Sequence, residues 1–175
     1  MDTALQLFAE KGYEHTSTQL IAKNAGVSEA LIFKYHGSKD KLLDTIIKNG
    51  YKRVISENRG ILLSDQPLDL IHTIIELPYK LVTEEPLFWK LQSRIIDTSP
   101  SARSQHDRFM QPVYALLIKA FTDMNFASPK KETSFLLLII EMLWKQLSTE
   151  EKDRAEDLRE FIKEKYTHRN KLVIV

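Results

Sequence analysis

Gly26 is the residue that most constrains what this chain can fold into. It closes one apolar-periodic run and stands two residues before the next, so the backbone must turn there within a few residues. Upstream, Thr16 is placed to cap a helix, and Gln19 is placed to close a capping box with it. Leu20, Ile21 and Ala25 follow at helical spacing. Glycine adopts the left-handed angles of a tight helix exit. Val27 is then expected as a buried plug, and Ser28 as the cap of a second helix from Glu29 to about Tyr35. Ala22, Gly26 and Ile32 supply a small residue at a helix crossing, a glycine at the turn and an apolar anchor. A helix-turn-helix needs those three features together. With Ile32 turned inward, the second helix exposes Glu29, Ala30, Leu31, Phe33, Lys34 and Tyr35. That face suits a DNA major groove, where a helix reads base edges near its N-terminus and fixes register through phosphates.

The rest of the chain also reads as helical. A first helix carries Leu5, Phe8 and Ala9 and stops at Gly12. A fourth opens at Ser38, with Asp40 in its first turn, and runs through Leu42, Leu43, Ile46, Ile47, Tyr51 and Val54. Gly50 marks either a soft point in it or a neutral surface glycine. Pro67 and Pro86 start a fifth and a sixth helix. Pro78 should kink or divide the fifth, and the sixth ends before Ser99-Pro100. A seventh spans about Ser104 to Asp123, with a second kink at Pro112. Ser128-Pro129 opens an eighth, reaching about Leu147. A further capping box, Ser148 to Glu151, opens a ninth that ends near Tyr166, leaving Leu172 to Val175 suited to an extended end. No β-type alternation of useful length is present. The expected fold class is all-α, with about nine helices.

Composition narrows the function classes. The chain has 175 residues, of which 43% are hydrophobic, enough for a real core. It lacks cysteine, which removes disulfides and thiolate metal sites. The densest apolar stretch, Phe135 to Leu143, is broken by Glu141, so no membrane span is expected. Nothing after Met1 resembles a leader, and a soluble, cytoplasmic protein is the expectation. The net charge of +1 excludes an indiscriminate grip on DNA. Residues 17–48 nonetheless hold five lysines against three acids, which suits a few placed phosphate contacts. There is no Glu-x-x-His pair and no glycine-rich phosphate loop, and the five histidines are scattered. No catalytic residue, metal site or cofactor is therefore expected.

These residues carry a resemblance. The run Ala4 to Tyr13 (ALQLFAEKGY), then Thr16-Ser17-Thr18, Ile21-Ala22, Gly26-Val27-Ser28, Ile32-Phe33 and Ser38-Lys39, resembles the DNA-binding domain of the TetR family of tetracycline-repressor-like transcriptional regulators. The match covers roughly the first quarter of the chain. The remainder is similar only in being helical and of suitable length. The resemblance implies that Glu29, Ala30, Leu31 and Phe33 face bases or the groove wall, and that Lys34, Tyr35 and Lys39 touch phosphates or bases. Ser17 and Thr18 open the first motif helix, where free amides hold a phosphate, with Gln19 beside them. Lys34 and Lys39 equally suit solvated surface, and Phe33 equally suits the core. Glu29 either accepts from a cytosine amine or repels phosphate. His36 departs from the family pattern, which often has phenylalanine there; it either packs as a polar substitute or points to phosphates. The family's first helix starts several residues earlier, so further native residues, with positive charge, are expected upstream of Met1.

The expected division is a helix-turn-helix domain at 1–46 and a helical effector-binding and dimerisation domain at 47–175. Helices five to seven mix large apolar side chains with His72, Gln92, Arg94, Asp97 and His106. Such a mixture suits an ordinary core as well as a ligand pocket. The resemblance implies the pocket, for a small hydrophobic or amphipathic ligand, with Leu77, Tyr79, Phe88, Trp89, Gln92, Arg94, Phe109, Met110 and Tyr114 as its candidate lining. Arg94 is expected to pair with Asp97. Helix eight is apolar nearly all round, and helix nine adds Ala155, Leu158, Phe161, Ile162 and Tyr166, so a homodimer through these two helices is implied. The expected protein is a repressor released from a near-palindromic, double-stranded operator by a ligand. The alternative is a DNA-binding regulator whose larger domain answers to a protein partner.

Overall fold

The computed structural model describes residues 1–58, 60–148 and 152–172, apart from the side chains at 152, 153 and 169–172. Among the described residues there are nine α-helices and no strand: α1 (Asp2–Lys11), α2 (Thr18–Ala25), α3 (Glu29–His36), α4 (Lys39–Glu57), α5 (Pro67–Glu84), α6 (Pro86–Ile95), α7 (Pro100–Asp123), α8 (Pro129–Leu147) and α9 (Lys152–Leu172). They sort into two compact units. Met1–Glu57 and Glu85–Asp107 form the first, with α1 to α4, α6 and the opening turns of α7. The second holds α5, the rest of α7, α8 and α9.

Four of the helices begin on proline, at 67, 86, 100 and 129, where the missing amide costs nothing and the fixed φ suits a first turn. This extends α7 four residues upstream of the expected Ser104, because Ser99 caps it: its hydroxyl accepts from the Ala102 amide at 3.2 Å. Pro78 and Pro112 lie inside α5 and α7 without dividing either. The helix α9 continues past Tyr166 to Leu172. The expected Ser148–Glu151 capping box, and the extended end at 173–175, lie outside the described residues.

In the first unit, α6 packs along α1 and α4. The stripe Leu42, Leu43, Ile46, Ile47, Tyr51 and Val54 of α4 is buried, as are Phe8 of α1 and Phe88, Trp89 and Leu91 of α6. Gly50 is no soft point. A Cβ there would stand 2.1 Å from Phe88 Cε2, so the glycine is the slot that admits the ring. In the second unit α5 lies against α8 and α9 and buries Leu70, Ile71, Ile74, Ile75, Leu77 and Leu81. Tyr166 is fully buried beside Phe121, with its hydroxyl donating to Glu132 at 2.9 Å. Glu76 holds α9 through Lys163 at 2.7 Å and Arg159 at 3.3 Å. The inner face of α8 buries Leu136, Ile140 and Leu143, while Phe135, Leu138 and Met142 remain exposed.

Candidate nucleic-acid interface

The helix-turn-helix is built by serines and glycines at its joints. Ser17 has extended angles and its hydroxyl accepts from the Leu20 amide at 3.1 Å, so it, not Thr16, caps α2. Thr16 is displaced from that role by burial: its hydroxyl donates to Gly12 O at 2.8 Å and pins the α1–α2 loop to the end of α1. Gly26 ends α2 at φ 67°, ψ 29°, in the left-handed region. Ser28 caps α3 through the Leu31 amide at 3.3 Å, and Ser38 caps α4 through the Lys41 amide at 3.1 Å. Val27 is 40% exposed rather than a buried plug. Its amide bonds to Ala22 O at 3.0 Å, which fixes the turn through the backbone, and its side chain rims an open apolar cavity of about 350 Å³ with Met1, Ile21, Leu31, Tyr35 and His36.

On α3, Ile32 is the buried residue, and Ala30, Leu31, Phe33, Lys34 and Tyr35 are exposed. The choice for Phe33 between groove and core falls to the surface, at 46% exposure. Glu29 accepts a hydrogen bond from the Thr18 hydroxyl, which ties the first turns of α2 and α3 together and fixes the crossing of the two helices. Ser17 and Gln19 are exposed beside them.

Lys39 is half-buried. Its ammonium donates to Tyr13 O at 2.9 Å and sits 4.0 Å from the centroid of the Tyr13 ring. The Tyr13 hydroxyl in turn donates to the Asp40 carboxylate. Burial, and then the bond to Asp40, pushes the Tyr13 phenol above its ordinary range, which keeps it a donor. An ammonium has three protons, and one is used by Tyr13 O, so Lys39 is held by its neighbours with donors left for an anion.

Residues 1–46 match the family described as bacterial regulatory proteins, tetR family. The match takes in the helix-turn-helix and about a quarter of the chain. Over 84 residues it is 34% identical to the HTH-type transcriptional regulator YvkB of Bacillus subtilis, a stretch covering 48% of this chain and 42% of the relative. Over 81 residues it is 31% identical to the nucleoid occlusion factor SlmA of Mannheimia succiniciproducens, covering 46% of this chain and 38% of that one. The chain thus spans less than half the length of these curated relatives. Its fold is shared with FadR of Bacillus subtilis, solved in complex with stearoyl-CoA, at a TM-score of 0.69 and 16% identity over 91% of this chain and 93% of that one. YvkB and FadR are both named as transcriptional regulators.

The candidate lining is divided between the two units. Phe88, Trp89 and Gln92 are buried in the first, where both aromatic rings stand edge-on to Tyr51 at 5.2 and 5.9 Å. Arg94, also in the first unit, is exposed. It does not pair with Asp97, which is taken by Arg103 at 2.6 Å; Arg94 instead donates to Glu10 O at 3.2 Å, at the carbonyl-rich end of α1. Leu77, Tyr79, Phe109, Met110 and Tyr114 belong to the second unit, with Leu77 buried, Tyr79, Phe109 and Met110 half-buried and Tyr114 exposed. Among the described residues no cluster of three or more His, Asp or Glu side chains is placed to hold a metal ion, and no helix is long and apolar enough to cross a membrane.

Three features of the first unit escaped sequence reasoning. The Tyr13–Lys39 contact joins residues 26 apart with no shared periodicity. The Arg53 guanidinium grips the Glu85 carboxylate through two nitrogens. The Tyr51 hydroxyl meets His106 Nδ1 at 2.9 Å. Burial, and then the Arg103 charge, pushes His106 down to about 4, so the imidazole is neutral at pH 7. A tyrosine within the apolar stripe of α4 was the available signal, since a buried phenol needs a polar partner.

Proposed function

We propose that this chain is a homodimeric, ligand-responsive transcriptional repressor of the cytoplasm. Residues 1–46 bind DNA, and residues 47–175 bind effector and dimerise. The observation that carries the DNA-binding reading is the exposed face of α3, presented beside the Ser17-capped start of α2, within the segment that matches the tetR family. Ser17, Thr18 and Gln19 approach one strand of the backbone, Glu29 to Tyr35 enter the major groove, and Lys39 clamps a phosphate. The exposed apolar side chains of α8 and α9, Leu138 at 66% and Phe161 at 64% among them, support a two-fold helical interface. Such a dimer sets two recognition helices roughly 34–36 Å apart on a near-palindromic site.

Effector release is a population shift. Ligand favours the state in which α4 is swung and the two α3 helices no longer fit successive grooves. The shared fold with a stearoyl-CoA-bound protein supports a small amphipathic effector. A second reading, in which the larger domain answers to a protein, would use the apolar side chains left exposed on α8 and α9. Thermal-shift screening against hydrophobic and acyl compounds separates them, since only the first reading expects a stabilising small molecule.

The clamp is tested by Lys39→Ala, with affinity measured against salt on a duplex enriched by the protein. The variant should bind all sequences more weakly and lose about one phosphate's worth of salt slope. An unchanged affinity and slope would remove Lys39 from the interface.

A further inference from the structure

We infer that α3 selects its site chiefly through thymine 5-methyl groups. This rests on the DNA-binding reading above and adds the chemistry that is read.

A helix turns by about 100° per residue. Ile32, 8% exposed, marks the inward direction. Ala30 and Lys34 then fall within about 20° of the outward direction, and Leu31 and Phe33 flank them at about 80° on either side. Glu29 and Tyr35 lie further round, at about 120°. Of the four side chains nearest a groove floor, three are therefore hydrocarbon. Leu31 and Phe33 remain 38% and 46% exposed, with large apolar surface uncovered.

Several polar groups around this face are already engaged. Glu29 is bonded to the Thr18 hydroxyl, the Ser17 hydroxyl oxygen to the Leu20 amide, and the Asn24 side-chain amide to Leu20 O at 2.8 Å. Of the bidentate readers of guanine and adenine, which are arginine, lysine, asparagine and glutamine, α3 contains only Lys34. Lys34 is its one cation at the centre of the face.

Thymine is the base that offers a methyl group in the major groove, while cytosine, guanine and adenine offer amines and acceptors. A hydrocarbon side chain against a methyl removes two apolar surfaces from water. The same side chain against a cytosine amine leaves a buried donor without a partner, which is costly. One surface thus favours thymine and disfavours its competitors at the positions beneath Ala30, Leu31 and Phe33.

The test uses duplexes enriched by the full chain from a random pool. Each thymine is replaced singly by deoxyuridine, which lacks the methyl and pairs identically. Loss of one buried methyl-sized group corresponds to about a fourfold change in affinity. The expected result is a set of thymines in each half-site where the replacement weakens binding by about that factor, and where 5-methylcytosine binds better than cytosine. Phe33→Ala and Leu31→Ala should each erase the penalty at their own thymine, while Lys34→Ala should leave those penalties in place. The deoxyuridine series changes only the DNA, so it stands even if a variant folds poorly. Enriched duplexes that tolerate deoxyuridine everywhere but fail with 7-deazaguanine would overturn the inference and leave DNA binding intact. Failure to enrich any duplex would overturn the DNA-binding reading and the inference with it.

Discussion

Gly50→Ala offers a perturbation whose sign is set by packing. At a solvated helical position, replacing glycine by alanine gains about 1 kcal/mol through helix propensity. At Gly50 a Cβ would stand 2.1, 2.4 and 2.8 Å from three atoms of the Phe88 ring, where about 3.5–4.0 Å is normal for carbon pairs. The ring has little room to withdraw. It is 1% exposed and packed edge-on against Tyr51 at 5.2 Å and Trp89 at 5.1 Å. Overpacking of this kind costs about 1–3 kcal/mol, and the severity of the overlap places Gly50 at or beyond the upper end, so a net loss of about 2 kcal/mol is expected. For a chain of this size that lowers Tm by roughly 4–8 °C. The assay is thermal and urea unfolding of wild type, Gly50→Ala, Phe88→Ala and the double variant. Phe88→Ala alone should cost about 3–5 kcal/mol, but clearly less in the Gly50→Ala background, with a coupling of about 1–3 kcal/mol between the two sites. A Gly50→Ala protein that melts at or above wild type, or a cycle without coupling, would refute the slot.

Three further outcomes are expected. His106 has a folded value near 4, below its ordinary 6.5, so the unfolded chain binds its proton more readily and stability falls as pH drops through that window. Between pH 7.5 and 5 this amounts to about 2 kcal/mol, and His106→Gln should flatten the decline in urea midpoints over that range. Thr16→Val should cost about 1–2 kcal/mol by removing the hydroxyl from Gly12 O, with no change in the salt slope of DNA binding. Leu138→Asp should shift the protein to monomer in sedimentation at unchanged helicity, because the side chain is exposed within one chain; persistence of the dimer would place the interface elsewhere.

The helix pattern was legible because it rests on local chemistry. Prolines at 67, 86 and 129, the serine before α3 and the left-handed Gly26 act within a few residues of themselves. The displacement of the α2 cap shows where that legibility ends. Thr16 and Ser17 are both favoured capping residues by type, serine the better of the two, and the end of α1 removes Thr16 from the choice, because its Gly12 carbonyl takes the threonine hydroxyl. Val27 was misplaced for a related reason: an apolar residue after a helix-ending glycine suits burial, but here the turn is already closed through the backbone. The exposed face of α3 followed from periodicity about a single anchor, Ile32. The Tyr13–Lys39–Asp40 group, the Arg53–Glu85 pair and the Gly50 slot are contacts between separate elements, and no spacing within the chain encodes them.

Those contacts bear on how α4 would transmit a signal. The helix is about 28 Å long. Near its start Lys39 is tied to the α1–α2 loop through Tyr13, and near its end Gly50, Tyr51 and Arg53 engage α6 and the first turns of α7. The three distal contacts resist different movements. The Gly50 slot opposes approach of α6, the Tyr51–His106 bond opposes sliding, and the Arg53–Glu85 pair, partly exposed, tolerates both. Breaking a buried hydrogen bond leaves an unsatisfied group at about 1–3 kcal/mol, as large as the whole coupling of about 1–3 kcal/mol that typically links two sites. An effector with that much differential binding energy cannot also dissolve the clamp. Displacement of α6 would therefore carry α4 as a body and move its Lys39 end together with α3. Under that mechanism Tyr51→Phe, which removes the bond but keeps the ring, should weaken the effect of ligand on operator affinity more than it weakens operator binding itself, measured by titrating operator with and without a stabilising ligand. Equal losses in both would assign Tyr51 to stability alone.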